Sequence, residues 1–111
     1  MASQNKVNIL IVGASDALGS LITKHSIVKP NLIVNIFVRD PQKNKELTAE
    51  VERAGGKAFQ GDVTKPETFR GVSKGMHTVI FTLSSFGSDA NVEGQLALIG
   101  DCVANGDFIF V

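Results

Sequence analysis

The sequence predicts an α/β fold, a doubly wound parallel sheet of five strands between two layers of helices. Two observations predict it. Short apolar runs alternate with segments of helical periodicity, in the order β-α-β-α-β-α-β-α-β, along 111 residues. The runs are also apolar at consecutive positions, which is typical of strands buried on both faces. Because right-handed crossovers join such strands, we expect the strand order 3-2-1-4-5, with a cleft between the first and fourth strands.

The first strand and helix form the central motif. The first strand is predicted over Lys6–Val12, and its apolar run from Val7 to Val12 leads to Gly13. A helix is predicted over Ala17–Val28, with Ser15 as its N-cap and Pro30 after its end. Such a unit gathers backbone N–H groups at a helix N-terminus, which favours a phosphate. Helical spacing predicts an inward stripe on this helix, made of Leu18, Leu21, Ile22, His25 and Val28.

The other predicted elements complete the alternation. They are strands over Leu32–Val38, Lys57–Gln60, Thr78–Leu83 and Phe108–Val111, and helices over Lys43–Ala54, Lys65–Val72 and Asp89–Ala104. The predicted inner faces are Leu47, Val51 and Ala54 in the second helix, and Val92, Leu96, Ile99 and Val103 in the last long helix. The last strand would form a hydrophobic sheet edge, so we expect self-association through residues 108–111.

Composition excludes several classes of function. Basic and acidic residues number 11 each, so the net charge is zero and a nucleic-acid-binding surface is not expected. No apolar run is long enough to cross a bilayer and no signal peptide is visible, so membrane association is not expected. Cys102 is the only cysteine, which indicates a cytoplasmic setting without an internal disulfide. No metal-ligand spacing is present.

The glycine motif after the first strand is incomplete. Gly13 and Gly19 are present, but Ala14 and Asp16 stand where a G-x-G-x-x-G pattern ending at Gly19 needs glycines. A G-x-x-G-x-x-G pattern would have two of its three glycines, with Asp16 replacing the middle one. Both glycines are also explained as turn and packing residues of any doubly wound sheet.

Four motifs in register resemble one family. Gly13-Ala14-Ser15-x-x-x-Gly19, after ILIV, resembles the GATGxxG turn of NmrA-like and isoflavone-reductase-like proteins, the atypical short-chain dehydrogenases. Val38-Arg39 resembles their VR, Gly61-Asp62-Val63 their GDL or GDV, and residues 95–100 their Q-x-x-L-I-x-A helix. The resemblance covers the N-terminal half of such a protein. It implies that residues 1–111 form one NAD(P)-binding domain of the Rossmann type, truncated before the substrate-binding part.

The resemblance implies a site for NADP(H). The residues that it implies for cofactor binding are Gly13, Ser15, Asp16, Ala17, Leu18, Gly19, Arg39, Lys43, Asp62, Val63, Ser84 and Phe86. Gly13 would allow the tight turn, and Gly19 the close packing of helix on strand. Arg39, with Lys43 nearby, favours a 2′-phosphate and therefore NADP over NAD. Asp40 is the competing sign, because an acidic residue there often binds the ribose hydroxyls of NAD.

The remaining implied contacts follow the third and fourth strands. Asp62 and Val63 would line the adenine, and Ser84 and Phe86 would approach the nicotinamide. Asp16 is expected to weaken binding, since its carboxylate replaces the glycine that faces the pyrophosphate. Other interpretations stay open: Arg39 can be an ordinary solvated charge, and Asp62 an Asx-turn residue.

Three functions are compatible with these patterns. The first is the cofactor half of an NAD(P)-dependent reductase. The second is a non-catalytic NADP-binding sensor or regulator, and the third is a truncated relative with a disabled site that binds no cofactor. The chain contains no tyrosine, so it cannot supply the acid or base of a Tyr-x-x-x-Lys mechanism, and no catalytic residue is assigned. A receiver domain is disfavoured, because Gly13 and Ala14 stand where it needs an acidic pair.

Overall fold

The fold is a five-stranded parallel sheet with helices on both faces. A computed structural model describes residues 6–14, 17–62, 65–72, 74–82, 89–104 and 108–110. The elements are the strands β1 (Val7–Val12), β2 (Leu32–Val38), β3 (Ala58–Gln60), β4 (Thr78–Phe81) and β5 (Phe108–Phe110), the helices α1 (Ala17–Ile27), α2 (Lys45–Arg53) and α3 (Asp89–Ala104), and a 3-10 turn at Pro66–Thr68. Every adjacent strand pair is parallel and the order is β3-β2-β1-β4-β5. The predicted fold class and strand order are confirmed.

The central strand β1 is buried on both faces, which explains its unbroken apolar sequence. Leu10 and Val12 belong to one core cluster, which also contains residues of α3. Ile9 and Ile11 alternate with them and belong to a second cluster, which includes Val51 of α2. Since neighbouring residues of a strand point to opposite faces, the two clusters are the two layers of core on either side of the sheet.

Two predicted helices are shorter than expected. In each case a side chain forms hydrogen bonds with the backbone near the predicted start of the helix. The Thr68 hydroxyl lies 2.7 Å from the carbonyl oxygen of Lys65 and 2.9 Å from that of Asp62, and the predicted helix over Lys65–Val72 is only the 3-10 turn. In the second case, the Asp40 carboxylate accepts backbone N–H groups of the turn before α2, so that helix begins at Lys45. The predicted end of the fourth strand, Leu83, lies outside the described residues.

The predicted inward stripe of α1 is largely wrong, since only Ile22 among its members packs against the core. Leu18, Leu21 and Val28 are 61%, 55% and 72% exposed, whereas Gly19 and Thr23 are buried against the sheet. The small Gly19 allows close approach, and the Thr23 hydroxyl donates to the carbonyl oxygen of Gly19 at 2.7 Å, so its burial leaves no unpaired group. The helix therefore packs through the small Gly19 and Thr23 together with the half-buried Ile22 and Ile27, while Leu18 and Leu21 stay exposed.

The predicted inner faces of the other two helices are partly wrong. In α3, Leu98 and Cys102 are fully buried and the predicted Ile99 packs against the same core, whereas the predicted Leu96 and Val103 are each 63% exposed. The helix carries two apolar stripes, and the sequence pattern did not distinguish which one meets the sheet. In α2, Leu47 and Val51 are buried as predicted, but Ala54 is exposed at the helix end. The Val92 side chain is outside the described part of the chain.

A buried asparagine in β2 links this strand to its two neighbours, β1 and the beginning of β3. Asn35 in β2 donates from Nδ2 to the carbonyl oxygen of Ile9 at 3.0 Å, and its Oδ1 accepts the N–H of Lys57, just before β3, at 3.0 Å. Its side chain is only 4% exposed. These two bonds satisfy the side chain inside the core, where an unpaired amide would be costly.

Replacing Asn35 by alanine is therefore expected to lower the free energy of unfolding by about 1–3 kcal/mol, since two backbone groups lose a partner. Urea denaturation measures the change. The control is Asn31→Ala, because Asn31 is exposed in the turn before β2. Equal small effects of both substitutions would contradict the proposed importance of the buried bonds.

Candidate functional site

The carboxyl ends of four strands meet along one edge of the sheet. The N–H of Thr82, just after β4, donates to the carbonyl oxygen of Val12 at 2.9 Å, and the N–H of Gly61, after β3, donates to that of Val38 at 3.0 Å. Gly13 and Arg39 are the next residues after Val12 and Val38. The residues that follow the strands are therefore brought together, as the sequence predicts, at the edge where such sheets bind ligands.

The turn after β1 is closely packed against the start of α1. Gly13 has φ of 92°, which a residue with a Cβ rarely adopts. A Cβ at Gly19 would overlap the carbonyl oxygen of Gly13 and lie 2.6 Å from Thr82 Oγ1. The close packing that the resemblance implies for Gly19 is observed, and Ala14 between the two is fully buried.

The loop after β2 is shaped by Asp40. Its Oδ1 accepts the N–H groups of Gln42 at 3.0 Å and Lys43 at 3.3 Å, and its carbonyl oxygen accepts Asn44 Nδ2 at 3.0 Å. This carboxylate oxygen is therefore engaged in an Asx-type turn. Arg39, the preceding residue, is exposed at the strand end. The loop thus presents a cation, while one acidic oxygen is held by the backbone.

A cleft of about 310 Å³ lies between α1 and α2 and contains three lysines. They are Lys24 from α1, Lys43 from the loop before α2, and Lys45, the first residue of α2. Two acidic residues of α2, Glu46 and Glu50, line the same cleft and partly offset the lysines. Lys43 was predicted from the sequence, whereas Lys24 was not, because only the packing of the two helices brings α1 and the loop together.

The segment after β3 holds Asp62 by its backbone. The N–H of Asp62 donates to Thr68 Oγ1 at 2.9 Å, and its carbonyl oxygen accepts the N–H of Lys65 at 2.9 Å. Asp62 is half-buried near the carboxyl end of β3. Its position agrees with either a turn residue or an adenine contact, and the role in adenine binding stays a prediction.

The remaining predicted site residues divide into two groups. Leu18 is exposed at the beginning of α1, and Ala17 is the first residue of that helix. Ser15, Asp16, Val63, Ser84 and Phe86 lie outside the described residues. Sequence patterns missed Thr82, which reaches the glycine turn from 69 positions away. The predicted strand Thr78–Leu83 included Thr82, whereas β4 ends at Phe81 in the structure and Thr82 lies directly after it.

Other kinds of site find no support in the part of the chain that the structure describes. Over that part, no group of three or more histidine, cysteine or acidic residues is arranged to hold a metal ion. Cys102 is buried in α3. None of the described helices has the length and apolar character needed to cross a membrane.

The parallel order, the positive φ of Gly13 and the packing of Gly19 on the turn define a nucleotide-binding domain of the Rossmann type. A comparison with protein families identifies which one. A model described as NAD(P)H-binding matches residues 13–106, which is most of the chain. The chain belongs to this NAD(P)H-binding family, and it is an NmrA-like and isoflavone-reductase-like member, as the sequence motifs indicate.

Solved structures of reductases share the fold. An isoflavone reductase is 25% identical, with a TM-score of 0.71, and the match covers 93% of this chain and 34% of the reductase. AtPrR2, solved with NADP+ and (+)pinoresinol, is 18% identical with a TM-score of 0.70, over 93% and 34% of the two chains. An NADPH-dependent quinone oxidoreductase from Escherichia coli is 20% identical, with a TM-score of 0.65, over 91% and 33%.

This chain therefore spans about a third of the length of these three structures. No curated protein sequence matches it. The shared part is the NAD(P)H-binding domain of reductase-type proteins.

Proposed function

We propose that this chain binds NADP(H) and serves as the cofactor-binding part of a reductase, without being catalytically complete alone. The observation that carries the proposal is the glycine turn at the carboxyl edge of the sheet, inside the region that matches the NAD(P)H-binding family. The similar structure of AtPrR2 with NADP+ and (+)pinoresinol supports a nicotinamide dinucleotide as the ligand class.

The residues at the turn fit a dinucleotide. Gly13 adopts the positive φ of a tight turn, and the lack of a Cβ at Gly19 lets α1 pack directly against that turn. The N-terminus of α1 is thereby held near the end of β1, where its dipole and N–H groups favour a pyrophosphate. We assign the pyrophosphate to the loop from Gly13 to Gly19, which includes the predicted contacts Ser15, Asp16, Ala17 and Leu18.

The adenosine end is assigned to the loops after β2 and β3. Arg39 is exposed beside the strand end, and Lys43 lies in the lysine-containing cleft, so both can meet a 2′-phosphate. Because the turn engages Asp40 Oδ1, the competing preference for NAD is weakened. Asp62 and Val63 are proposed for the adenine, and Ser84 and Phe86 for the nicotinamide side.

The bound cofactor would supply the hydride chemistry of such a reductase. The residues of this chain would hold and orient the dinucleotide. No residue of this chain is assigned as a proton donor, and the sequence contains no tyrosine. A substrate pocket and a proton donor would have to come from elsewhere in an assembled enzyme. The alternatives are an NADP-binding sensor, which needs neither, and a relative whose site Asp16 disables.

Two further proposals concern the setting of the protein. The sheet order places β5 at an edge, so we propose that self-association occurs through the segment 108–111. We also propose a cytoplasmic location, which agrees with the single cysteine of the sequence. Sedimentation of the chain across a concentration series tests the first, and a cell fractionation tests the second.

Calorimetric titration with NADPH and NADH tests the proposed function. Micromolar binding of NADPH, tighter than that of NADH, is the expected result. Binding without turnover of carbonyl or quinone substrates supports a cofactor half or a sensor, whereas turnover by the isolated chain would contradict catalytic incompleteness. Binding of neither dinucleotide would contradict the proposal and favour the relative with a disabled site.

Replacing Arg39 by alanine is expected to weaken NADPH binding roughly 10- to 100-fold and to leave NADH binding unchanged. The reason is the loss of a charge-assisted contact to the 2′-phosphate, worth about 1.5–3 kcal/mol. The control is Arg53→Ala, since Arg53 is exposed at the other end of α2. An equal loss for NADPH and NADH would contradict the assignment of Arg39 to the 2′-phosphate.

A further inference from the structure

Thr82 connects the end of β4 to the glycine turn after β1. Its backbone N–H donates to the carbonyl oxygen of Val12 at 2.9 Å, which extends the pairing of the two strands by one residue. Its hydroxyl oxygen lies 2.9 Å from the same carbonyl oxygen and 3.1 Å from that of Gly13. Thr82 is half-buried, so these contacts are partly shielded from water.

The contact with Gly13 is the one that acts on the turn. A threonine hydroxyl has a single hydrogen to donate. The carbonyl oxygens of Val12 and Gly13 lie 2.9 and 3.1 Å from the hydroxyl and share this hydrogen, and only that of Gly13 belongs to the turn itself. The same Gly13 oxygen is where a Cβ on Gly19 would overlap. The carbonyl of Gly13, the Cα of Gly19 and the hydroxyl of Thr82 therefore meet at one point inside the turn.

The orientation of the Gly13 carbonyl matters for an anionic ligand. The C=O and N–H of a trans peptide point in opposite directions, and no cis peptide occurs among the described residues. A bond to the Gly13 oxygen therefore fixes the plane of the peptide between Gly13 and Ala14, with its carbonyl turned inward to α1 and β4. A carbonyl that turned outward would instead bring its negative end toward a pyrophosphate.

We propose that Thr82 is a positioning residue for dinucleotide binding, whose hydroxyl holds the Gly13 carbonyl inward and keeps the glycine turn in the form that accepts a pyrophosphate. This inference rests on the proposed function, because it requires the turn to bind a dinucleotide. Thr82 acts through Gly13 and needs no contact with the ligand. Since NADPH and NADH share the pyrophosphate, the effect is common to both dinucleotides, in contrast to that of Arg39.

The test compares Thr82→Val with Thr82→Ser. Valine keeps the shape and removes the hydroxyl, while serine keeps the hydroxyl and removes the methyl group. Calorimetry with NADPH and NADH is expected to show roughly tenfold weaker binding of both to Thr82→Val, which corresponds to about 1.4 kcal/mol. Thr82→Ser is expected to bind within about twofold of the parent, because a hydroxyl can again donate to Gly13.

Thr23→Val is the matched control. Thr23 is fully buried, and its hydroxyl donates to the carbonyl oxygen of Gly19 within α1, not to the turn. This substitution is expected to lower Tm and leave both dissociation constants unchanged. Should Thr82→Val fold poorly, Thr82→Ala removes the same hydroxyl without a branched side chain, and Tm shows which variants are folded.

The outcomes separate this inference from the proposed function. If the parent binds neither dinucleotide, the proposed function is wrong and the role of Thr82 is wrong with it. If the parent binds and Thr82→Val binds equally well, only the role of Thr82 is overturned. An equal loss of binding in Thr23→Val, or no recovery in Thr82→Ser, would show that stability or the methyl group matters and would also overturn it.

Discussion

Alanine at Gly19 is expected to lower the free energy of unfolding by about 3 kcal/mol or more, at or above the upper end of the usual overpacking cost. The added Cβ would overlap the carbonyl oxygen of Gly13 and approach Thr82 Oγ1 to 2.6 Å. The first of these atoms is backbone at the end of β1 and cannot rotate away as a flexible side chain could. Helix α1 would have to move away from the sheet.

Gly100→Ala is the matched control for Gly19→Ala. Gly100 lies in the interior of α3, and a Cβ there meets nothing within 4 Å. Its replacement is expected to stabilise the protein by about 0.8–1 kcal/mol, because alanine is the better helix former. Thermal unfolding of both variants measures the two changes. A Tm of Gly19→Ala equal to that of the parent would contradict the close packing of α1 on the turn.

The strands were predictable because their signal is local. In β1, for example, every residue except Asn8 is apolar. A strand buried on both faces produces that pattern. The orientation of α1 was not predictable in the same way. Hydrophobic spacing selects the side with Leu18 and Leu21, yet close packing at Gly19 places the opposite side against the sheet. The side with Gly19 also carries Ile22 and Ile27, which pack against the core, and periodicity alone does not register the close backbone contact that a glycine allows.

The candidate site was predictable only where a motif carries it. Gly13 and Gly19 come from one short segment, and their spacing predicts a turn and a helix start. Thr82 comes from a different strand, and its bond to Gly13 depends on the pairing of β4 with β1. Asp40 illustrates the reverse case: its sequence position suggested a ribose contact, but its Oδ1 accepts N–H groups of its own loop.

Asp16→Gly is expected to strengthen NADPH binding roughly 10- to 100-fold. Asp16 stands where the family that the sequence motifs resemble has the middle glycine of its turn. It directly precedes α1 in the sequence. Like charges at about 4 Å and an effective dielectric constant near 20 repel by about 4 kcal/mol before screening. Solvent and salt reduce this energy, and a tenfold change in affinity corresponds to about 1.4 kcal/mol.

Stability and binding should respond to Asp16 in opposite directions. A carboxylate next to a helix N-terminus favours the helix, so Asp16→Gly is expected to lower Tm slightly while it improves binding. Asp16→Asn serves as the control, because it removes the charge and keeps the size. If both variants bind NADPH more tightly, charge is the obstacle; if only Asp16→Gly does, the side chain itself blocks the approach of the backbone to the pyrophosphate. If the parent binds NADPH and neither variant changes the affinity, Asp16 does not face the cofactor. The position of the family's middle glycine would then play no part in cofactor binding by this chain.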